Sequence, residues 1–277
     1  MMKIPNGSAI IAINNNIQKG TLMEKIITQI VWVRIEPILP VKATKVGRPR
    51  TDPKQVLKAV MYVIRTGIQW CHLPREFGAK STIHGIFMQW CKIGITRAIF
   101  EIARALYFMF KGVSNWYAID TSSKKAPLAL FSGKNATDRS KRGIKQVFIV
   151  DRKGAPIEVG VAAANVHDSK LLEPMLQHYA PTEKPNILTG DAAFDADALR
   201  KFCAKKNLAL IAATNKRRGK NAHKIKPAMR WVVERTIGWF SWYRGIRTCW
   251  NKLALSHLGF LQLAAANQLF RMSGIFG

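Results

Sequence analysis

From Glu24 apolar residues recur at helical spacing, as Ile26, Ile27, Ile30 and Val31, until Pro37 and Pro40 close the stretch. The next helical face is Val56, Leu57, Val60, Met61 and Ile64. Thr51-Asp52-Pro53 gives that helix a capping side chain and a proline in its first turn. Breaks follow at Gly67 and at Leu73-Pro74. Ser81-Thr82 opens another helix, with Ile83, Phe87, Trp90 and Cys91 on its apolar side and Gly94 at its end. Phe100 to Phe110 forms a fourth. Residues 24–113 therefore read as a compact, basic, all-helical unit. Residues 1–23 are polar and poorly patterned, and read as a flexible N-terminal tail.

After residue 113 the period shortens. NWYAID (115–120), KQVFIVD (145–151), PIEVGVAAA (156–164), NILTGD (186–191) and LALIAAT (208–214) are strand-like runs. The second and third are separated by the turn Arg152-Lys153-Gly154 and form a hairpin or meander. Helical patterns fall between the later runs, over Leu171–Leu176 and Ala196–Lys206. A basic loop, 216–227, precedes a long helix from about Ala228 to Tyr243 and a final helix over 255–271. Three strands followed by alternating helices and strands predict a mixed sheet with helices on both faces over residues 114–277.

Composition narrows the function. The chain has 277 residues, and 48% of them are apolar, so it is not a disordered tail. Lys and Arg number 44 against 16 Asp and Glu, a formal charge of +28. That surplus repels itself unless an anion covers it, and nucleic acid is the first candidate. A membrane is the second, but no apolar run reaches 18 residues. The four cysteines, Cys71, Cys91, Cys203 and Cys249, have no CxxC spacing and make no disulfide framework, which points to a reducing, intracellular compartment.

With so few acids, their positions are informative. Most sit where a solvated face or a helix start would put them. Asp120 ends the strand NWYAID, Asp191 ends NILTGD, and Glu234 lies inside RWVVERTIGWF, an apolar helix where a buried carboxylate is costly. Chemistry in α/β sheets gathers beyond strand ends. Three converging carboxylates repel one another unless a divalent cation neutralises them, and hard oxygen ligands suit Mg²⁺ or Mn²⁺. Two such ions clamp the attacking and leaving oxygens of an in-line phosphoryl displacement. From spacing alone, turn residues that cap the next segment are the readier account of Asp120 and Asp191. By the same reasoning Asp151 is a turn residue, and Asp168 and Asp195 are helix caps.

GRPRTDPKQVLKAVMYVIRTGIQWCHLP (47–74), WYAIDTSSKKAP, ATDRSKRGIKQVFIVDRKGAPI, ANVHD, ILTGDAAFDADALR and RWVVERTIGWFSWYRGIRTCWNK together resemble bacterial insertion-sequence transposases of the DDE type, in the IS-five family. The resemblance runs from about residue 35 to the end. It implies a ribonuclease H-like catalytic domain behind an all-helical, helix-turn-helix-like DNA-binding domain. It assigns Asp120, Asp191 and Glu234 to a catalytic, metal-holding triad with two Mg²⁺ or Mn²⁺ ions. Arg230 matches the arginine of the family's tyrosine–arginine–glutamate–lysine signature and, one turn before Glu234, would contact a DNA phosphate. Pro227 and Ser241 stand where the tyrosine and lysine would be, and Arg244 is a substitute phosphate contact. The implied partners are the terminal inverted repeats and target DNA, bound by a dimer or larger assembly in the bacterial cytoplasm, beside the nucleoid.

Further DNA contacts follow from charge. Arg48 and Arg50, in GRPR, suit a narrow minor groove as well as they suit a solvated linker. Lys216, Arg217 and Arg218 begin a six-cation loop that reads as a phosphate clamp. In the helical unit Arg75, Lys80, Arg97 and Arg104 are candidates for the major groove. Trp231, Trp239, Trp242 and Trp250 suit base stacking, but their helical spacing favours a core role, with at most one left for DNA. The rival functions are a metal-dependent nuclease of the same fold and a catalytically idle DNA-binding remnant.

Overall fold

The computed structural model describes residues 32–40, 51–136, 138–178, 186–214 and 229–274. The first full helix, α1 (Pro53–Thr66), starts as its sequence predicts. Asp52 accepts the Lys54 N–H at 2.9 Å, and Pro53 fills the first turn, where no amide partner is needed. Val56, Ala59, Val60, Val63 and Ile64 form its buried stripe. Helices α2 (Lys80–Lys92) and α3 (Ile95–Lys111) follow, separated by Gly94. The cap of α2 is Ala79 rather than the expected serine or threonine, and α3 starts five residues before Phe100.

Among the described residues the sheet has six strands: β1 (Trp116–Lys125), β2 (Gly133–Lys134), β3 (Arg142–Asp151), β4 (Pro156–Ala163), β5 (Asn186–Gly190) and β6 (Leu208–Ala212). β4, β3 and β1 are antiparallel neighbours, and β1, β5 and β6 continue in parallel, with the short β2 beside β3. This is the mixed sheet the strand pattern predicts. Helices α4 (Leu172–His178), α5 (Asp197–Ala204), α6 (Trp231–Ser241), α7 (Arg244–Arg247) and α8 (Ala254–Met272) complete the chain.

Helices cover both faces. Successive strand residues point to opposite sides. The Phe148 ring meets Phe240 of α6, with centroids 4.8 Å apart. Its neighbour Val147 pairs with Gly160, over which Met175 of α4 lies so close that a Cβ would come within 2.6 Å of its sulfur. On the α6 side, Gln146 Nε2 donates to the Ile246 carbonyl and to His257 Nε2, and His257 Nδ1 faces Asn251 Oδ1 at 3.1 Å. Burial holds His257 neutral, with its pKa lowered to about 3.

α8 joins the two sequence regions. It runs along α3 and β4 and crosses α2. Gly259 makes the crossing possible, since a Cβ there would stand 2.6 Å from Cys91 Sγ. Phe260 stacks near Phe87, and Thr96 donates to Gln262 at 2.8 Å. One continuous apolar core therefore runs from Trp32 through the sheet to Phe270. A second tie was not visible in the strand pattern. Glu158 of β4 is 1% exposed and is held by Arg97 at 2.5 and 2.8 Å and by Arg104 at 3.2 Å. Arg97 and Arg104 are committed to that carboxylate, which corrects their reading as DNA contacts. Arg75 and Lys80 are exposed. Among the described residues no helix is long and apolar enough to cross a membrane.

Candidate active site

Asp120 and Asp191 reach one end of the sheet from neighbouring parallel strands. The last parallel pair is Ala118↔Thr189, so each aspartate lies two residues beyond it, at the same level. Asp120 does not end its strand, contrary to the sequence expectation. β1 continues to Lys125 as the antiparallel partner of β3. What stops before Asp120 is the parallel pairing. Asp120 Oδ1 accepts the Thr121 N–H at 2.7 Å, and Asp191 Oδ1 accepts the Ala193 N–H at 2.9 Å. Asp191 thus does cap a turn, as the alternative reading held, and the cap fixes the carboxylate at the strand end.

α6 supplies the third acid. Its buried stripe is Val232, Val233, Thr236 and Phe240, which sets it over β1 and β3. The turn between β3 and β4 secures its start. Thr236 Oγ1 donates to the Gly154 carbonyl at 2.7 Å, and Arg235 Nη2 donates to that of Lys153 at 2.8 Å. Gly154 has φ +85°, and a Cβ there would lie 2.9 Å from both donors, so only glycine allows this approach.

Docked this way, Arg230 and Glu234 stand one turn apart beside Asp120. Arg230 Nη2 lies 3.8 Å from Asp120 Oδ2 and 3.6 Å from Glu234 Oε1. The Nε of Arg230 is buried and has no hydrogen-bond partner. A guanidinium held at long range by two carboxylates, with an unused buried donor, is poised to accept an anion. Glu234 is 58% exposed, which removes the expected burial cost.

Electrostatics tie the three acids together. The pKa of Asp120 is raised to about 6, chiefly by burial. The Thr121 amide opposes the rise; Asp191 adds to it, Arg230 opposes it and Glu234 adds to it. Three hard oxygen donors with one arginine among them suit a divalent cation by chemistry. As the side chains stand, no three acidic, histidine or cysteine groups among the described residues converge on one ion-sized point. The arginine sits between two of the acids instead.

Other expected residues fall elsewhere. Arg244 is exposed on α7, its backbone against Gly67, and forms no ion pair with the triad. The Ser241 hydroxyl is spent on the Ile237 carbonyl at 3.2 Å. Arg48, Arg50, Lys216, Arg217 and Arg218, with the tail 1–23, lie outside the described residues. Asp151 is a turn residue, accepting from Lys153 and Ala155, and also takes the Tyr107 hydroxyl at 2.7 Å. Asp168 is not a cap: His167 caps that turn, and Asp168 pairs with Lys145 at 2.7 Å. Asp195 pairs with Arg200, and Ala196 occupies the cap position.

The core reading of the tryptophans fails. Trp231, Trp242 and Trp250 are 55%, 83% and 56% exposed, and Trp239 is half-buried. Arg235 lies 4.8 Å from the centroids of both Trp231 and Trp239. Lys124 was missed. It shares the strand parity of Asp120 and Ser122, and so the triad's face of the sheet, and burial lowers its pKa. Continuing β1 past Asp120 would have revealed it.

Residues 117–268 match the family described as "Transposase DDE domain", and residues 27–100 match "Putative transposase of IS4/5 family". A curated relative, "Putative transposase for insertion sequence element IS402" of Burkholderia cepacia, is 29% identical over 140 residues, covering 48% of this chain and 65% of that protein. The chain thus spans just under two thirds of that relative's length. Among solved structures, a piggyBac transposase synaptic complex with hairpin DNA aligns with 91% of this chain and 72% of its own at 11% identity and a TM-score of 0.39. The Mos1 strand transfer complex aligns with 97% and 90% at 9% identity and a TM-score of 0.26.

Proposed function

Because this chain belongs to the transposase DDE domain family, we propose that it is a DNA transposase that cuts phosphodiester bonds at the ends of an insertion sequence and joins the freed 3′-hydroxyls to target DNA. The observation that carries the reading is Arg230 between Asp120 and Glu234, at the sheet end where Asp191 lies beside Asp120. In this reading the three carboxylates hold the metal. Bound there, one or two Mg²⁺ or Mn²⁺ ions supply the Lewis acidity that activates water and stabilises the leaving oxygen. Arg230 receives the scissile or neighbouring phosphate through its unused donor, and gives up its long contacts to the acids as it does so. The Asp191 cap and the Asp120–Thr121 hydrogen bond hold two of the three acids in position before DNA arrives. After cleavage, the new 3′-hydroxyl takes the place of water and attacks the target phosphate in line; its P–O bond forms as the target's own P–O3′ bond breaks, and the departing 3′-oxygen takes up a proton.

Residues 24–113 are the DNA-binding unit of this reading, and 114–277 the catalytic domain. Arg48, Arg50, Lys216, Arg217, Arg218 and Arg244 are phosphate or groove contacts, consistent with the +28 charge. Terminal inverted repeats and target DNA are the substrates, and pairing two ends requires at least a dimer. The test is Mg²⁺-dependent nicking of a duplex carrying the element's own end and flank, with Asp191→Asn and Glu234→Gln beside the wild type. Both variants retain DNA and lose nicking. Nicking that survives in either variant would refute the triad assignment, and nicking without joined products would favour the nuclease.

A further inference from the structure

α6 presents a second, unassigned feature on the stripe that carries its acid. Residues four apart on a helix share a face. Arg230, Glu234, Gly238 and Trp242 follow that spacing, and Trp242 keeps helical backbone angles, φ −72° and ψ −22°. Gly238 is exposed, and a Cβ built on it meets nothing within 4 Å. No packing or turn requires glycine there, although it is among the least favourable residues in a helix interior. One turn further, Trp242 is the most exposed of the large apolar side chains among the described residues, at 83%. An indole so exposed loses the burial that normally favours it, unless a flat partner covers it. Arg244 and Arg247, both exposed, follow it two and five residues on.

We infer that this stripe is a track for one DNA strand. Its backbone runs along the helix over Gly238, and a base stacks on Trp242. The inference rests on the transposase reading and names where its substrate lies. Eight residues separate Glu234 from Trp242, which is about 12 Å along the helix. At B-form rise that is about three to four nucleotides from the scissile phosphate. A duplex keeps its base faces stacked, so the indole selects an unpaired base at the transposon end. Gly238 is the gap that lets the sugar–phosphate chain approach the helix closely, between the carboxylate and the aromatic platform. The exposed Arg244 and Arg247 just after the indole, with the +28 charge of the chain, favour a polyanion over a second protein surface.

The test titrates the full chain into fluorescein-labelled oligothymidine at fixed salt and reads anisotropy. Trp242→Ala binds about tenfold more weakly, within the range of one base–aromatic stack. Trp242→Phe stays within about threefold of wild type, because the stacking face is kept. Gly238→Leu binds at least as weakly as Trp242→Ala, while its melting temperature is unchanged or higher, because leucine is the better helix former. Trp250→Ala, on a different exposed indole, leaves binding unchanged. If Trp242→Ala and Gly238→Leu both bind like the wild type, the track is wrong. If Trp242→Ala instead dissociates a dimer without weakening the oligonucleotide, the indole is a protein contact and the inference is overturned. Mg²⁺-dependent nicking of the element's end by the wild type is read in parallel. Nicking with unaltered binding by Trp242→Ala removes only the track. Weakened binding by Trp242→Ala with no nicking by the wild type keeps the track and removes the transposase reading.

Discussion

Where α3 meets β4, two arginines hold one carboxylate; beside Asp120, two carboxylates share one arginine, with a third acid, Asp191, close by. Glu158 is buried, gripped at 2.5 and 2.8 Å by Arg97 and at 3.2 Å by Arg104, and also accepts the Val159 amide. Nearly every lone pair there has a donor, and removing one member would strand a charge away from water. Arg230, by contrast, reaches Asp120 and Glu234 only at 3.8 and 3.6 Å, with its Nε unused. Asp120 is left short of positive charge, and its pKa is raised to about 6, by burial first. The first cluster is closed and belongs to the fold. The second is open, and its deficit is of the kind a cation on one side and a phosphate on the other would fill.

Breaking the closed cluster has the largest effect on stability. Glu158→Ala leaves two arginines packed against the sheet, one 21% and the other 12% exposed, and lowers unfolding free energy by about 3–5 kcal/mol in urea denaturation. An effect below about 1 kcal/mol would make the pair an ordinary surface bridge.

The open cluster predicts the opposite sign. The Asp120 carboxyl titrates near 3.8 when unfolded and about 6 when folded. Between those values the folded chain holds the extra proton, so stability falls as pH rises from about 4 to about 6 and stays low above that range. Asp120→Asn therefore stabilises the metal-free protein by about 2–3 kcal/mol at pH 7, and the gain vanishes below about pH 4. Added Mg²⁺ raises the melting temperature of the wild type and leaves that of Asp120→Asn unchanged. A variant less stable than wild type at pH 7 would show the carboxylate to be structural. His257 titrates in the reverse sense. Its folded pKa of about 3 lies below the ordinary 6.5, so the stability of its neutral form is full above pH 6.5 and is lost as pH falls towards 3. Combining Asp120→Asn with His257→Gln separates the two slopes.

Smaller effects sharpen the contrast. Arg230→Gln changes stability by less than about 1 kcal/mol, since its contacts are long and its side chain is one-third exposed. Its loss appears in DNA affinity and salt dependence instead. Gly238→Ala, at an open helix position, adds about 0.8 kcal/mol in thermal denaturation.

The strand cores and most helices were legible because apolar residues repeat along them: α1, with its Asp52–Pro53 start, and α8 lie within a residue or two of expectation. Asp120, Asp191, Glu234 and Arg230 were also visible, and the structure brings them together. The second half of β1 was not, because Thr121–Lys125 carries no apolar alternation; its strand form comes from pairing with β3. The tryptophans misled for a related reason. Residue type and spacing suggested that most of Trp231, Trp239, Trp242 and Trp250 are core, yet Trp231, Trp242 and Trp250 are exposed and the buried stripe of α6 is Val232, Val233, Thr236 and Phe240. Arg97 and Arg104 stood among the candidate DNA contacts because nothing in PIEVGV shows that Glu158 is buried.

In the proposed function the open cluster performs metal-dependent chemistry on DNA ends. The most direct measurement is end joining: a duplex carrying the element's own terminus and flank, a target plasmid and Mg²⁺, with wild type beside Asp120→Asn. The account predicts nicked and joined products from the wild type and at least about a thousandfold less from Asp120→Asn, at unchanged DNA binding. Tight binding by both proteins with no cleavage by either would contradict it.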